Sequence, residues 1–200
     1  MIVECLTFFK KHSSNYEILF FRLCPLIAKM ELLKSENDEN VTLEFYEACL
    51  RGDLDKVTNL LSRKEDIDVK QLDKRYMLEK AVRYGYPEIV ELLLRIGVNV
   101  NHKNRSYGFS PLHLACAKNG NLIIANILLD NGANIDATVK IFNETALHFT
   151  VLHQKTSITK LLLKNGCKTN VRDHKGLTAL ERALEKGFVG IVKLFAFLEK

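Results

Sequence analysis

Beneath "SPLHLACAKNGNLIIANILLDNGANID" (110–136) can be laid "TALHFTVLHQKTSITKLLLKNGCKTN" (145–170) and "TALERALEKGFVGIVKLFAFLEK" (178–200). Looser copies lie upstream, "YMLEKAVRYGYPEIVELLLRIGVNVN" (76–101) and "LEFYEACLRGDLDKVTNLLSRKEDIDV" (43–69). The copies start near 43, 76, 110, 145 and 178, so the period stays between 33 and 35 residues. A fixed period of this size constrains the fold more than any local motif. Each copy reads as two short helices, neither of which can bury its apolar face alone, so the copies must stack on one another.

The chemistry of one copy can be read in order. Ser110, Thr145 and Thr178 are N-cap hydroxyls, and Pro111 stands at the first helical position of its copy. A short helix follows, in which Ala81, Ala115 and Ala183 permit close approach to a neighbour. Gly52, Gly85, Gly120 and Gly187 break it, and a second helix carries the apolar triplets Leu92-Leu93-Leu94, Ile127-Leu128-Leu129 and Leu161-Leu162-Leu163. Gly97, Gly132 and Gly166 follow those triplets at one offset, as glycines just past a helix C-terminus do. The pattern has departures: Gln154 stands in place of the inter-helix glycine, one extra residue lies between Ala115 and Gly120, and Leu43 and Tyr76 replace the capping hydroxyl in the first two copies.

A period near 33 with a T-P-L-H-x-A pattern resembles the ankyrin repeat, and the resemblance spans about residues 41–200. It implies an all-α solenoid of about five stacked helix-turn-helix units joined by β-turn finger loops. It also implies that the recurring histidines His113 and His148 bond backbone and neighbouring-repeat groups and perform no chemistry. Cys116 and Cys49, at the second position of the family's Ala-Ala pair, are small buried packing groups on the same reading.

Function in such a stack belongs to the extended concave face. The resemblance places partner contacts on finger tips and on the exposed ends of the first helices. By phase these are Lys70, Leu72, Asp73, Arg75, Arg83 and Tyr84 in the second unit, and Asn104, Ser106, Tyr107, Phe109, Ala117 and Lys118 in the third. The fourth contributes Val139, Ile141, Phe142, Glu144, Leu152 and His153, and the fifth Arg172, His174, Lys175, Leu177, Glu185 and Lys186. Tyr107, Phe109, Ile141 and Phe142 are large apolar residues at loop tips, ringed by Lys103, Arg105, Lys140, Arg172 and Lys175. This arrangement fits a protein partner with apolar anchors and acidic flanks. Packing of Phe109 and Phe142 between adjacent turns is the competing account.

Composition narrows the function classes. The net charge of +5 leans basic but is not gathered into long Lys/Arg runs, and no RRM, KH or zinc-finger signature is present, so nucleic acid is a secondary expectation. Five scattered cysteines with no C-x-x-C pair argue against a disulfide framework or zinc knuckle and fit reduced thiols in cytosol or nucleus. His148 and His153 are five apart, which does not put two ligands on one helical face, and no metal is expected. The phosphate-binding, dinucleotide-binding and nucleophile-elbow signatures are missing, so neither an enzyme nor a cofactor nor a small-molecule substrate is expected. No apolar run reaches the ~18 residues of a membrane span. A monomer acting as adaptor or inhibitor is expected. Stand-alone ankyrin chains of this size include relatives of the inhibitor of NF-κB and host-directed effectors, although basic finger tips sit poorly with capture of a basic nuclear-localisation segment.

Residues 1–40 stand outside the repeat. Their apolar stretch followed by "SENDEN" (35–40) reads as a helical cap with an acidic linker, or as an extension upstream of a start at Met30.

Overall fold

The computed structural model describes residues 44–62 except 46 and 50, 74–104, 107–117 and 119–198. The expectations for residues 1–40 and for Lys70, Leu72, Asp73, Arg105, Ser106 and Lys118 fall outside the described residues.

Among the described residues, helical Phe45, Ala48 and Cys49 precede α1 (Leu54–Ser62), α2 (Lys74–Tyr84), α3 (Pro87–Arg95), α4 (Pro111–Ala115) and α5 (Leu122–Asp130). After these come α6 (Ala146–Leu152), α7 (Thr156–Lys164), α8 (Ala179–Glu185) and α9 (Val189–Leu198). Thr138 and Thr145 form an isolated antiparallel bridge at the base of a finger. The helices alternate between two layers. The first helices α2, α4, α6 and α8 pack side by side, the second helices α1, α3, α5, α7 and α9 do the same, and each first helix packs on the second helix of its own unit. The all-α repeat stack expected from the period is the observed architecture.

The core lies between the layers and recurs in phase. Ile89, Val90 and Leu93 of α3 are buried, as are Ile124, Ala125 and Leu128 of α5 and Ile158, Thr159 and Leu162 of α7. The i, i+1, i+4 spacing sets these three side chains on one helical stripe. The middle residue of each apolar triplet is the fully buried one. The opposing layer supplies Leu78, Leu112 and Leu147 with the small Ala81, Ala115 and Ala183, which let the first helices approach closely.

Helix ends follow the sequence except at one turn. The N–H groups of Val98, Ala133 and Cys167 bond back to the carbonyls of Leu93, Leu128 and Leu162, closing each second helix over a left-handed glycine such as Gly132 (φ 82°). The first helices close likewise over Gly52, Gly85 and Gly187. Gln154 takes the same left-handed conformation, φ 54°, with the Lys155 N–H bonded to the Thr150 carbonyl at 2.8 Å. Gly120 is the correction: it does not adopt that conformation, because the extra residue lengthens its turn. Its role is close approach, since a Cβ there would lie 2.7 Å from the Ala115 carbonyl oxygen. Asn121 then caps α5, its Oδ1 accepting from the Ile123 and Ile124 N–H groups.

Candidate interaction surface

The fingers are loops that leave each second helix and return to the N-cap of the next first helix. Their bases are tied down by the residue three positions after the cap. His113 Nδ1 accepts from the Ser110 backbone N–H at 3.2 Å and lies 2.7 Å from the Ser110 hydroxyl. An acceptor Nδ1 requires the proton on Nε2, which donates across the repeat boundary to the Glu144 carbonyl at 3.3 Å. His148 repeats this with Thr145 and with the Leu177 carbonyl of the next unit. In the fifth unit Glu181 fills the position. It accepts from the Thr178 N–H at 2.7 Å while its own N–H donates to the Thr178 hydroxyl, a capping box. The bonds from Thr178, more than Arg172, hold its carboxyl below the usual range.

Further bonds at the repeat period lock neighbouring loops together. The Asn134 N–H donates to Asn101 Oδ1 at 2.6 Å, and the Lys168 N–H donates to Asp136 Oδ1 at 2.8 Å at the next boundary. Lys103 Nζ donates to the Thr138 carbonyl, Asn143 Nδ2 to the Arg172 carbonyl and the His174 N–H to the Phe142 carbonyl. Within fingers, Asn104 Oδ1 accepts from the Tyr107 and Phe109 N–H groups, and Asp173 Oδ1 accepts from those of Lys175 and Leu177. Bonds reaching across 31 to 35 residues make the fingers a preorganised platform.

The bait residues of the sequence reading occupy this platform in different ways. Ile141 is 58% exposed, its chain neighbour Lys140 is also exposed in the fourth finger, and Lys175 is exposed in the fifth. Arg172 is exposed but engaged, donating to Glu181 Oε2 at 2.9 Å and to the Gly176 carbonyl. Tyr107, Phe109 and Phe142 are half-buried. The Phe109 ring meets Tyr107 at 5.7 Å and buried Phe149 edge-on at 5.5 Å, and Phe142 meets the His174 ring edge-on at 5.3 Å. Tyr84 is exposed at the far end of α2. Val139 and Glu144, placed at a finger tip by phase, are buried.

Glu144 is drawn inward by a network that the sequence did not disclose. The Arg182 guanidinium on α8 donates to Glu144 at 2.6 Å and to Asp173, and all three side chains are buried. Burial pushes Asp173 upward, but the Leu177 and Lys175 N–H groups and Arg182 together hold it below the usual carboxylate range. Glu144, Asp173 and His174 bring ligand atoms within 4.8 Å of one another. Arg182 already supplies the cation for both carboxylates, so the set is an ion-paired clamp between the fourth and fifth fingers. Glu144 and Asp173 are thereby turned inward while Lys140 and Lys175 stay outside.

His113 and Cys116 have no free capacity for nucleophilic chemistry. Both ring nitrogens of His113 are committed, and burial pushes its pKa down to about 4 against the pull of the Glu144 carbonyl. Burial raises the thiols of Cys49 and Cys167 to about 12 and that of Cys116 higher still, so each is protonated at neutral pH. Among the described residues no helix is long and apolar enough to cross a membrane.

These features define a tandem helical-repeat protein whose loops are cross-linked by hydrogen bonds at the repeat period. The family model described as ankyrin repeats (3 copies) matches residues 45–139 and 117–199, and the chain belongs to the ankyrin repeat family. An ankyrin repeat protein of fowlpox virus (strain NVSL) is 34% identical over 154 residues, 74% of this chain and 45% of that protein. An ankyrin repeat and KH domain-containing protein of Caenorhabditis briggsae is 35% identical over 114 residues, 56% of this chain and 4% of the other. An ADP-ribosylation factor GTPase-activating protein of Arabidopsis thaliana is 34% identical over 96 residues, 48% of this chain and 12% of the other. The chain therefore spans less than half the length of these curated relatives. Ankyrin repeats imply protein–protein interaction, which is the coarse function the family carries.

Proposed function

We propose that the chain is a non-catalytic binding module whose fingers, with the exposed ends of the first helices, hold a partner protein segment that has an apolar anchor and acidic flanks. The observation that carries this reading is the charge sorting of the fourth and fifth fingers. Glu144 and Asp173 are buried on Arg182, whereas Lys140 and Lys175 of the same two fingers remain exposed, as does Ile141. An exposed apolar residue on a platform with exposed lysines gives steering to an acidic segment and a contact that is desolvated on docking. Half-buried Tyr107, Phe109 and Phe142 support the loops from beneath and contribute their remaining edges. Arg105 and Lys118 are further basic residues of the same surface on the sequence reading. A host-directed effector role is the second reading, favoured by the similarity to a fowlpox virus protein.

The test is affinity capture from cell lysate with the wild-type chain and with the variant Lys140→Glu, Ile141→Ser, Lys175→Glu, at low and high salt. The expected outcome is a set of proteins retained by the wild type, weakened by salt, and lost by a variant that keeps the wild-type melting temperature. Equal retention by the two folded proteins rejects the reading. A salt-dependent gain of nonspecific DNA on the wild type would instead favour nucleic acid.

A further inference from the structure

Of the large apolar side chains that the described residues expose, Ile141 stands in a finger, while Leu54, Tyr84, Leu122, Ile123, Leu152, Leu184 and Val189 stand elsewhere. Tyr84, Leu152 and Leu184 lie in the last turns of α2, α6 and α8, and Leu54, Leu122, Ile123 and Val189 in the first turns of α1, α5 and α9. All seven thus lie where a first helix hands over to its second helix, at the end remote from the fingers. Five to eleven helical residues at a rise of about 1.5 Å each place this edge on the order of 8–16 Å from the finger bases, so it is a separate surface.

The apolar character varies from turn to turn, and at the phase of Leu122 it recurs in Leu54 and Val189. At the phase of Leu122 and Ile123 the neighbouring repeats carry Pro87 and Glu88, and Thr156 and Ser157. At the phase of Leu152 the adjacent repeats carry Ala117 and Glu185. Leu184, at the phase of the buried Val82 and Val151, extends the strip in the fifth repeat. Ile123, Leu152 and Val189 give one exposed aliphatic residue in each of repeats three, four and five, between 44% and 62% exposed. Adjacent repeats are separated by about one helix-packing distance, roughly 8–10 Å. Seven residues of an α-helix advance about 10.5 Å. A helix lying along the edge therefore sets aliphatic residues seven apart opposite successive repeats.

Charge selects the flanks of that helix. Exposed Lys186 and half-buried Lys155 stand at the fifth and fourth turns, with Glu185 the opposing charge among the described turn residues of these two repeats. We propose that the inter-helix turns of repeats three to five form a second docking surface, and that its occupant is an acidic amphipathic helix of a partner protein with aliphatic residues seven apart. An anionic membrane is the weaker match, because surface attachment through basic residues takes about four to eight of them in a cluster.

The test uses the full chain and a labelled helical peptide of about 22 residues with leucine at every seventh position and glutamates beside them, read by fluorescence anisotropy. Saturable binding is expected, weakened at least about tenfold by the variant Ile123→Ser, Leu152→Ser, Val189→Ser and by replacing the peptide glutamates with lysine. Ile141→Ser is expected to leave it unchanged, which separates this surface from the finger reading. Should the triple variant melt early, the single variants Leu152→Ser and Val189→Ser each replace it with an expected loss of about threefold. Absence of binding, equal binding by the folded variants, or sedimentation with phosphatidylserine vesicles in place of peptide binding overturns the proposal.

Discussion

His113 is neutral in the fold because a proton on Nδ1 would confront the Ser110 N–H at 3.2 Å inside a buried site. Its pKa falls from 6.5 to about 4, first through burial and further through Lys103, so below pH 6.5 the unfolded chain binds the proton more readily than the folded one. The resulting stability is complete above pH 6.5 and is lost as the pH falls toward about 4, an effect of roughly 3 kcal/mol at ~1.4 kcal/mol per pKa unit. His148 is lowered for the same leading reason, and the depressed Asp173 also withdraws stability on acidification. Urea unfolding of the wild type and of His113→Gln, at neutral pH and at about pH 4.5, checks this. The variant is expected to be less stable at neutral pH and to lose about 2–3 kcal/mol less between the two conditions. Parallel losses in both proteins would mean that acid sensitivity resides elsewhere. The structural role of this histidine was readable from its recurrence at the repeat period, whereas its acceptor, the Glu144 carbonyl in the next finger, is a backbone atom that carries no residue signature.

The helices and their closures were the most legible level, since capping hydroxyls, stripe spacing and terminal glycines each state a local geometry. The turns of α4 and α6 were less so. Replacing glycine by Gln154 preserved the left-handed turn, and adding one residue before Gly120 abolished it, although on sequence the two departures looked alike. A Cβ in the left-handed region costs about 1–2 kcal/mol, and glycine returns some 0.5–1 kcal/mol of that as backbone entropy. Gln154 is exposed, so little contact is lost by truncating it. Gln154→Gly is expected to stabilise the chain by about 0.5–1 kcal/mol in chemical denaturation. A destabilised Gln154→Gly protein would show that the glutamine side chain contributes more than its backbone strain withdraws.

In a stack, each unit is held by its neighbours, so whole-molecule stability depends on a few bonds that cross unit boundaries. The strongest such point is Arg182, whose guanidinium joins Glu144 of the fourth finger to Asp173 of the fifth. It escaped sequence reasoning because the same phase holds Lys80, Leu114 and Phe149 in the other repeats, and its partners lie 38 and 9 residues away. The apolar residues at the inter-helix turns were hidden for a related reason: they are divided between the ends of first helices and the starts of second helices, which share one edge only once the two layers are stacked. Arg182→Met keeps the aliphatic stem but strands two buried carboxylates, and removing one partner of a buried ion pair costs about 3–5 kcal/mol. Because interactions in a repeat array are nearest-neighbour, the loss is expected to concentrate at one boundary. Hydrogen exchange should quicken in α8 and α9 while α3 to α5 keep their wild-type protection. Adding Glu144→Leu to Arg182→Met is expected to recover part of the loss, since one stranded charge is then gone, with Asp173 still held by the Lys175 and Leu177 N–H groups. Uniform acceleration across all helices would show instead that the repeats unfold as one cooperative block, with Arg182 contributing to the stability of the whole.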